Sequence, residues 1–122
     1  MSYLMVKNLR YDMKMNEIFN FLADIPVDSK EEIFETLFSN GVAKIERIIS
    51  YGQTSEENFW YDQDEDEFVL VLKGDATIEY DSNEIIELHQ NDSLFIPAHQ
   101  KHRVKYTSNT RPTVWLAIFY QD

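Results

Sequence analysis

The chain has 122 residues, 43% hydrophobic and 14% aromatic, which suits one domain with a single core and is too apolar for disorder. Its 22 acidic residues outnumber 11 basic ones, for a formal charge of −11 and a pI near 4.6. That field repels phosphate backbones and anionic lipid, so neither nucleic acid nor membrane is an expected partner. Cysteine is absent, which excludes disulfides, thiolate metal sites and a cysteine nucleophile.

The first residues, MSYLMVKNLRYDMKM, mix charges among their apolar side chains and lack the unbroken apolar core of a signal peptide. No apolar run approaches the roughly 20 residues of a membrane span. A cytoplasmic protein is expected, with residues before about Met13 forming a poorly ordered extension. From about Met13 to Asn40 the period is helical. Ile18, Phe19, Phe21 and Leu22 fall on one stripe, and Pro26 breaks the chain. Ser29 and Glu32 have capping-box spacing, Ile33, Phe34, Leu37 and Phe38 form an apolar face, and Asn40-Gly41 makes a helix stop. The predicted organisation is therefore an extension with helices over residues 1–41, packing on a barrel over residues 42–122. The helices are expected to cover an opening or edge of the sheet, or else to form a lid or dimerisation arm.

After Val42 the period becomes alternating. Strands are predicted at Ala43–Ser50, Phe68–Lys73, Ala76–Tyr80, Glu84–Leu88, Ser93–Ile96, His102–Thr107 and Thr113–Tyr120. Turns such as Lys73-Gly74-Asp75 and Asp81-Ser82-Asn83 separate them. Seven short strands at regular spacing predict an all-β antiparallel sandwich or barrel. There is no repeat, low-complexity tract or linker, so a single domain is expected.

The chemistry concentrates between Trp60 and His102. An acidic run, WYDQDEDE, leads into the strand FVLVLKG, and two of the three histidines lie in IPAHQKHRV. Seven acids between Glu56 and Glu67 repel one another unless cations or solvent screen them. The simplest reading of Asp62 to Asp66 is a solvated loop. Their spacing imitates an EF-hand start, but Glu67 stands where the turn Gly belongs and Lys73 where the closing Glu belongs. His89 precedes a turn and is expected at the surface. Alternation puts Glu67, Val69 and Val71 on one face of their strand and Phe68, Leu70 and Leu72 on the other. It also turns Arg103 outward, toward the acidic run.

These motifs resemble those of the cupins, small jelly-roll barrels. Glu67 precedes Gly74 by seven residues, the family's spacing in its first motif. Pro97, His99 and His102 hold the Pro, Gly and His places of the second, and Asn91-Asp92 replaces the usual Gly-Asp turn. The resemblance covers about residues 43 to 120 and implies an all-β cupin jelly roll carrying an N-terminal helical segment. The chain departs from the pattern in one respect: the paired histidines of the first motif would fall on Trp60 and Asp62, or on Tyr61 and Gln63. It resembles a subgroup of short bacterial cupins with a WYDQDE-type run in that place.

The resemblance implies a metal site of Glu67 and His102 with Asp62 in a histidine's position, joined by His99 if its ring turns inward. One imidazole with carboxylates favours a hard divalent ion; Mn, Fe and Zn are the expected candidates. The expected ligand pocket comprises Trp60, Tyr61, Gln63, Val69 and Val71, with Trp60 placed to stack on a ring or sugar. Two function classes follow. One is a metal-dependent enzyme acting on a small polar molecule, such as a dioxygenase or isomerase, with His99 or Tyr61 as acid or base. The other is a metal-free module that binds or senses a small ligand. The catalytic residues stay unassigned, and a homodimer is expected.

Overall fold

The computed structural model describes residues 6–121, which contain nine strands. These are β1 (Val6–Arg10), β2 (Glu32–Ser39), β3 (Ala43–Ser50), β4 (Asp66–Lys73), β5 (Ala76–Tyr80), β6 (Ile85–Leu88), β7 (Ser93–Ile96), β8 (His102–Thr107) and β9 (Thr113–Tyr120). They form a six-stranded sheet in the order β1-β2-β3-β9-β4-β7, facing a three-stranded sheet in the order β6-β5-β8. The architecture is the jelly roll. All pairings are antiparallel except β1 with β2. Between the sheets lies a core of Ile48, Val69, Val71, Ala76, Ile78, Leu88, Trp115 and Ala117.

From β4 to β8 the strands follow the expected pattern because each has one face in the core and one toward solvent or a loop; β3 is buried on both faces from Glu46 to Ser50 and β9 from Thr113 to Trp115. In β4, Glu67, Val69 and Val71 are buried while Phe68, Leu70 and Leu72 are half-buried. Turn chemistry punctuates the meander. Asn91 has φ 70°, the left-handed value that Asn tolerates best among side-chain-bearing residues. Gly74 is required twice over: its φ is +95°, and a Cβ there would meet the Thr113 Cα at 2.7 Å.

The N-terminal helices are not present. Residues 32–39, expected as a helix, are β2, hydrogen-bonded between β1 and β3. The reason is burial on both sides. Ile33, Glu35 and Leu37 face outward yet are buried, while Glu32 and Phe34 face the barrel interior. Apolar residues on both faces obscure the two-residue alternation and imitate a helical stripe. Ser29 caps no helix; its hydroxyl pairs with the backbone of Glu31 in a local turn. Asn40 closes the β2–β3 hairpin, accepting from the amides of Val42 and Ala43. Residues 6–10 likewise are a paired strand and not a loose extension, whereas residues 1–5, Tyr3 and Leu4 included, lie outside the described residues.

Residues 11–31 form an irregular strap over the outer face of β2 and β3. Left-handed backbone at Asp12, Asn16 and Asp24 forbids a continuous helix. Carbonyls that a helix would have used are given to Arg47: its Nη1 donates to the oxygens of Ala23 at 2.8 Å, Phe21 at 3.1 Å and Asn20 at 3.4 Å. The same guanidinium donates from Nε and Nη2 to both carboxylate oxygens of Glu35. Both side chains are almost fully buried, at 2% and 3% exposure. Tyr11 adds a hydroxyl bond to Glu35 at 2.7 Å, and the Phe19 ring lies 4.6 Å from the guanidinium carbon. Ile18 takes no part in a packed stripe and is 95% exposed. Among the described residues no helix is long and apolar enough to cross a membrane.

Removing one partner of a buried pair leaves an uncompensated charge, at a cost of about 3–5 kcal/mol. Arg47→Met should therefore lower unfolding free energy by about that amount in urea titrations, and adding Glu35→Leu should recover part of it. A loss for Arg47→Met below about 1 kcal/mol, the scale of an exposed pair, would show that the strap does not depend on this ion pair.

Candidate functional site

The inward faces of both sheets enclose a cavity of about 430 Å³. Its walls are largely apolar, with Phe34, Ile48, Val69, Ile78, Trp115 and Phe119 among them, and a few polar groups converge on it. Each arrives there by strand register. Glu67 and Val69 point inward from β4, His102 and Val104 from β8, Glu32 and Phe34 from β2, and Lys44, Glu46 and Ile48 from β3. Loop residues Tyr61, Gln63 and Glu65 complete the rim.

Glu67 and His102 form the polar centre. His102 Nδ1 lies 2.9 Å from the Gln100 carbonyl, which can only accept, so Nδ1 carries a proton. The other nitrogen, Nε2, stands 3.3 Å from Glu67 Oε1. In a neutral ring two lone pairs would face each other there; a second ring proton turns repulsion into attraction. Burial opposes the charged ring, but the Glu67 carboxylate and the Gln100 carbonyl outweigh it and raise the His102 pKa above its usual 6.5. The contact is a charge contact without an aligned hydrogen bond, so the buried Glu67 Oε1 keeps an acceptor direction open. An unpaired buried acceptor costs about 1–3 kcal/mol, and more when charged.

Tyr61 packs beside this pair. Its backbone exchanges two hydrogen bonds with His102, at 2.7 and 3.2 Å, and the two rings stack with centroids 5.4 Å apart. Burial, then the charges of Glu32 and Glu67, push the Tyr61 hydroxyl up to about 12, so it remains a donor at neutral pH. Glu32 is the residue that sequence reasoning missed, having been assigned to a helix cap. Burial raises its pKa, partly countered by the Ser50 hydroxyl that donates to it at 2.6 Å. The indole of Trp115 donates in turn to Ser50 at 3.1 Å. The alternation Glu32, Phe34, Thr36 was the available signal for an inward face.

The four expected metal ligands separate into two pairs. Glu67 and His102 face the cavity. Asp62 and His99 meet on the exposed rim, Nδ1 to Oδ1 at 2.8 Å, with Asp64 3.4 Å from the other ring nitrogen. The cause is backbone geometry: His99 occupies a left-handed turn, φ 63°, and its amide is held by the Gln63 carbonyl at 2.8 Å. Asp66 fixes the following residue by accepting the Ala98 amide at 2.8 Å. Among the described residues no three His, Asp or Glu side chains come together as a metal-holding group. Two protein donors fall short of the three of an open catalytic centre, so the residues present do not fit the metal that the resemblance implies.

The expected pocket is corrected in two places. Tyr61, Gln63 and Val69 line the cavity, but Val71 is fully buried core. Trp60 is not among the cavity-lining residues. It lies under the Arg103 guanidinium, 5.4 Å from the ring centroid, and Arg103 bonds Glu79 at 2.9 Å. Arg103 also reaches the Glu56 carbonyl at 3.4 Å, so it and His99 supply positive charge along the acidic run. His89 is at the surface, paired with Asp75.

A family profile described as cupin domain matches residues 47–119. The chain belongs to the cupin family. Its fold is similar to that of a protein from Ralstonia eutropha, provisionally named a mannose-6-phosphate isomerase. That similarity has 43% identity and a TM-score of 0.83 over 87% of this chain and 99% of that one. A cupin superfamily protein from Desulfitobacterium hafniense shares the fold at 23% identity and TM-score 0.71, over 96% and 98% of the two chains. So does a Streptococcus pyogenes protein of unknown function, at 15% identity and TM-score 0.73, over 93% and 95%. No curated protein sequence matches the chain significantly.

Two outcomes are expected at this site. The His102 ring should titrate above pH 6.5 by NMR, and in Glu67→Gln below it, since burial persists while the carboxylate charge is gone. Because the folded value is raised, the stabilisation is fully present below about pH 6.5 and lost as pH rises through the folded pKa. An unchanged midpoint in the variant would remove Glu67 as its cause. Elemental analysis of protein purified without chelator should give far less than one Mn, Fe or Zn per chain. A stoichiometric metal lost in Glu67→Ala would contradict the two-donor reading.

Proposed function

We propose that this cupin binds a small polar molecule in its barrel cavity, with Glu67, His102 and Tyr61 as the polar anchors. The observation that carries this is the buried Glu67 Oε1, which faces the cavity with no aligned donor. A ligand hydroxyl or N–H supplies the missing bond, and the apolar walls bury the rest of the molecule. The volume suits a metabolite-sized ligand. Tyr61 offers a permanent donor and Glu32 a second carboxyl on the same cavity.

A second reading, isomerisation by proton transfer, draws on the name of the Ralstonia relative at 43% identity. Glu67 beside a readily protonated His102 is a carboxylate–imidazole couple able to take a proton from one carbon and return it to its neighbour. Against it stands the cavity's supply of cations for a phosphate: among the lining residues these are Lys44, already committed to Glu46 at 3.6 Å and to the Phe119 ring, and His102, committed to Glu67 at 3.3 Å. The binding role is therefore the stronger of the two.

Trp115 in the cavity wall provides a reporter, and Trp60→Phe removes the other indole. A panel of small alcohols, amines, carboxylates and monosaccharides should include members that change Trp115 fluorescence saturably, with affinity about tenfold or more weaker in Glu67→Gln. Saturation that Glu67→Gln leaves unaltered would move the site elsewhere. Turnover of mannose 6-phosphate abolished in Glu67→Gln would replace binding with isomerisation.

A further inference from the structure

Resting on the small-molecule reading above, we infer that the molecule this cavity selects is a small organic cation, a protonated amine, and that phosphorylated or carboxylated molecules are excluded. The argument starts from the charges that line it. Four carboxylate residues, Glu32, Glu46, Glu65 and Glu67, face the cavity against two basic groups, the Lys44 ammonium beside Glu46 and the His102 imidazole beside Glu67, so carboxylates remain in excess. Glu67 is only 8% exposed, and its Oε1 has no aligned hydrogen bond, only the charge contact with His102 Nε2 at 3.3 Å. An anion brought here would be drawn into a poorly solvated space lined by its own sign of charge, where water screens little. A neutral alcohol could donate one hydrogen bond to Glu67 but would leave the excess negative charge unanswered. An alkylammonium has three N–H donors and the complementary charge, and charge-assisted bonds are roughly twice as strong as neutral ones.

The walls add an independent reason. Phe34, Tyr61, Trp115 and Phe119 are aromatic, and aromatic faces attract ammonium groups by their quadrupoles. The chain already illustrates the pairing. Lys44 Nζ sits 4.8 Å from the Phe119 centroid and 3.6 Å from Glu46 Oε2, an ammonium held between a ring and a carboxylate in the cavity wall. At Glu67 the Tyr61 ring stacks on the neighbouring His102 and Phe119 lies opposite on β9, while the chain supplies the misaligned His102 imidazole in place of an ammonium. The overall charge of −11 further steers cations toward the protein.

The test is a charge series on one skeleton: n-butylammonium, n-butanol and butyrate titrated calorimetrically into the full chain at pH 7. Butylammonium should bind about tenfold or more tighter than butanol, and butyrate should not bind. Added salt should weaken the amine selectively. Glu67→Gln should reduce amine affinity about tenfold and butanol affinity by clearly less, since the amine loses a charge-assisted bond and the alcohol a neutral one; Glu32→Gln serves as a second variant should the first fold poorly. Equal or tighter binding of butyrate or mannose 6-phosphate would overturn the amine inference while leaving the small-molecule reading intact. Failure of all these probes at millimolar concentration would defeat both. Tight Mn²⁺ binding that excludes butylammonium would make Glu67 a metal ligand and end the proposal.

Discussion

The buried pair of Arg47 and Glu35 is the interaction on which this barrel's geometry turns. A guanidinium and a carboxylate, both nearly inaccessible, are tolerable only because every strong polar direction is answered. Glu35 receives Arg47 at both oxygens and the Tyr11 hydroxyl, and Arg47 also takes three carbonyls of the strap. The pair lies on the outer face of β2 and β3, which the strap closes over Ile33, Leu37 and Ile49. With that face fixed outward, strand alternation leaves no freedom on the other: Glu32, Phe34, Lys44 and Glu46 must face the cavity. A structural ion pair on one side of the sheet thus determines the charge of the functional side.

This coupling explains which parts of the structure were legible from the residues. From Ala43 on, five strands have the boundaries that alternation and turn residues predict, and the others differ by at most two residues. Most of those strands have one buried face, so their period shows; β3, buried on both faces from Glu46 to Ser50, and β9, from Thr113 to Trp115, are the exceptions. Glu67 and His102 could be placed because spacing to Gly74 and Pro97 locks their register, and both came to the cavity. β2 was illegible because it is buried twice, once by the barrel and once by the strap, and two apolar faces at two-residue spacing look like one helical stripe. The pairing of Glu35 with Arg47 was not legible, since the two are distant in sequence and meet only through the β2–β3 register. Glu32 was lost with the same strand. His99 and Asp62 failed for a different reason: spacing placed them near His102, but the left-handed turn at His99 decides direction, and composition cannot report it.

The ionisable groups of the cavity behave as one system. Tyr61 feels both Glu32 and Glu67, and His102 feels Glu67. The directions are mutually consistent: each proton held there, on Tyr61, on Glu32 or on Nε2 of His102, reduces the negative charge that burial makes expensive. Ser50 and the Trp115 indole serve the same end at Glu32 through hydrogen bonds. Glu67 differs because its Oε1 contact with His102 is a misaligned charge contact and leaves an acceptor open. An open acceptor in an otherwise satisfied interior is where a bound molecule gains most.

The replacement of the first-motif histidines by the WYDQDE run now has a physical consequence. In this chain the run's three aspartates are spent on positioning: Asp66 holds the Ala98 amide, and Asp62 and Asp64 hold His99. Together they fix the loop that delivers His102 to the cavity, while Tyr61 from the same run stacks on its ring. What two imidazoles would have contributed inside the barrel, positive charge gathered by a metal, is absent from the donor set, and the inward carboxylates are left in excess. A negative, aromatic-walled cavity with one unpaired carboxylate oxygen is no longer matched to a metal polyhedron needing three or more ligands. It is matched to a charge that arrives on an organic molecule, because such a cation brings its own shape and needs only one good acceptor and a set of rings.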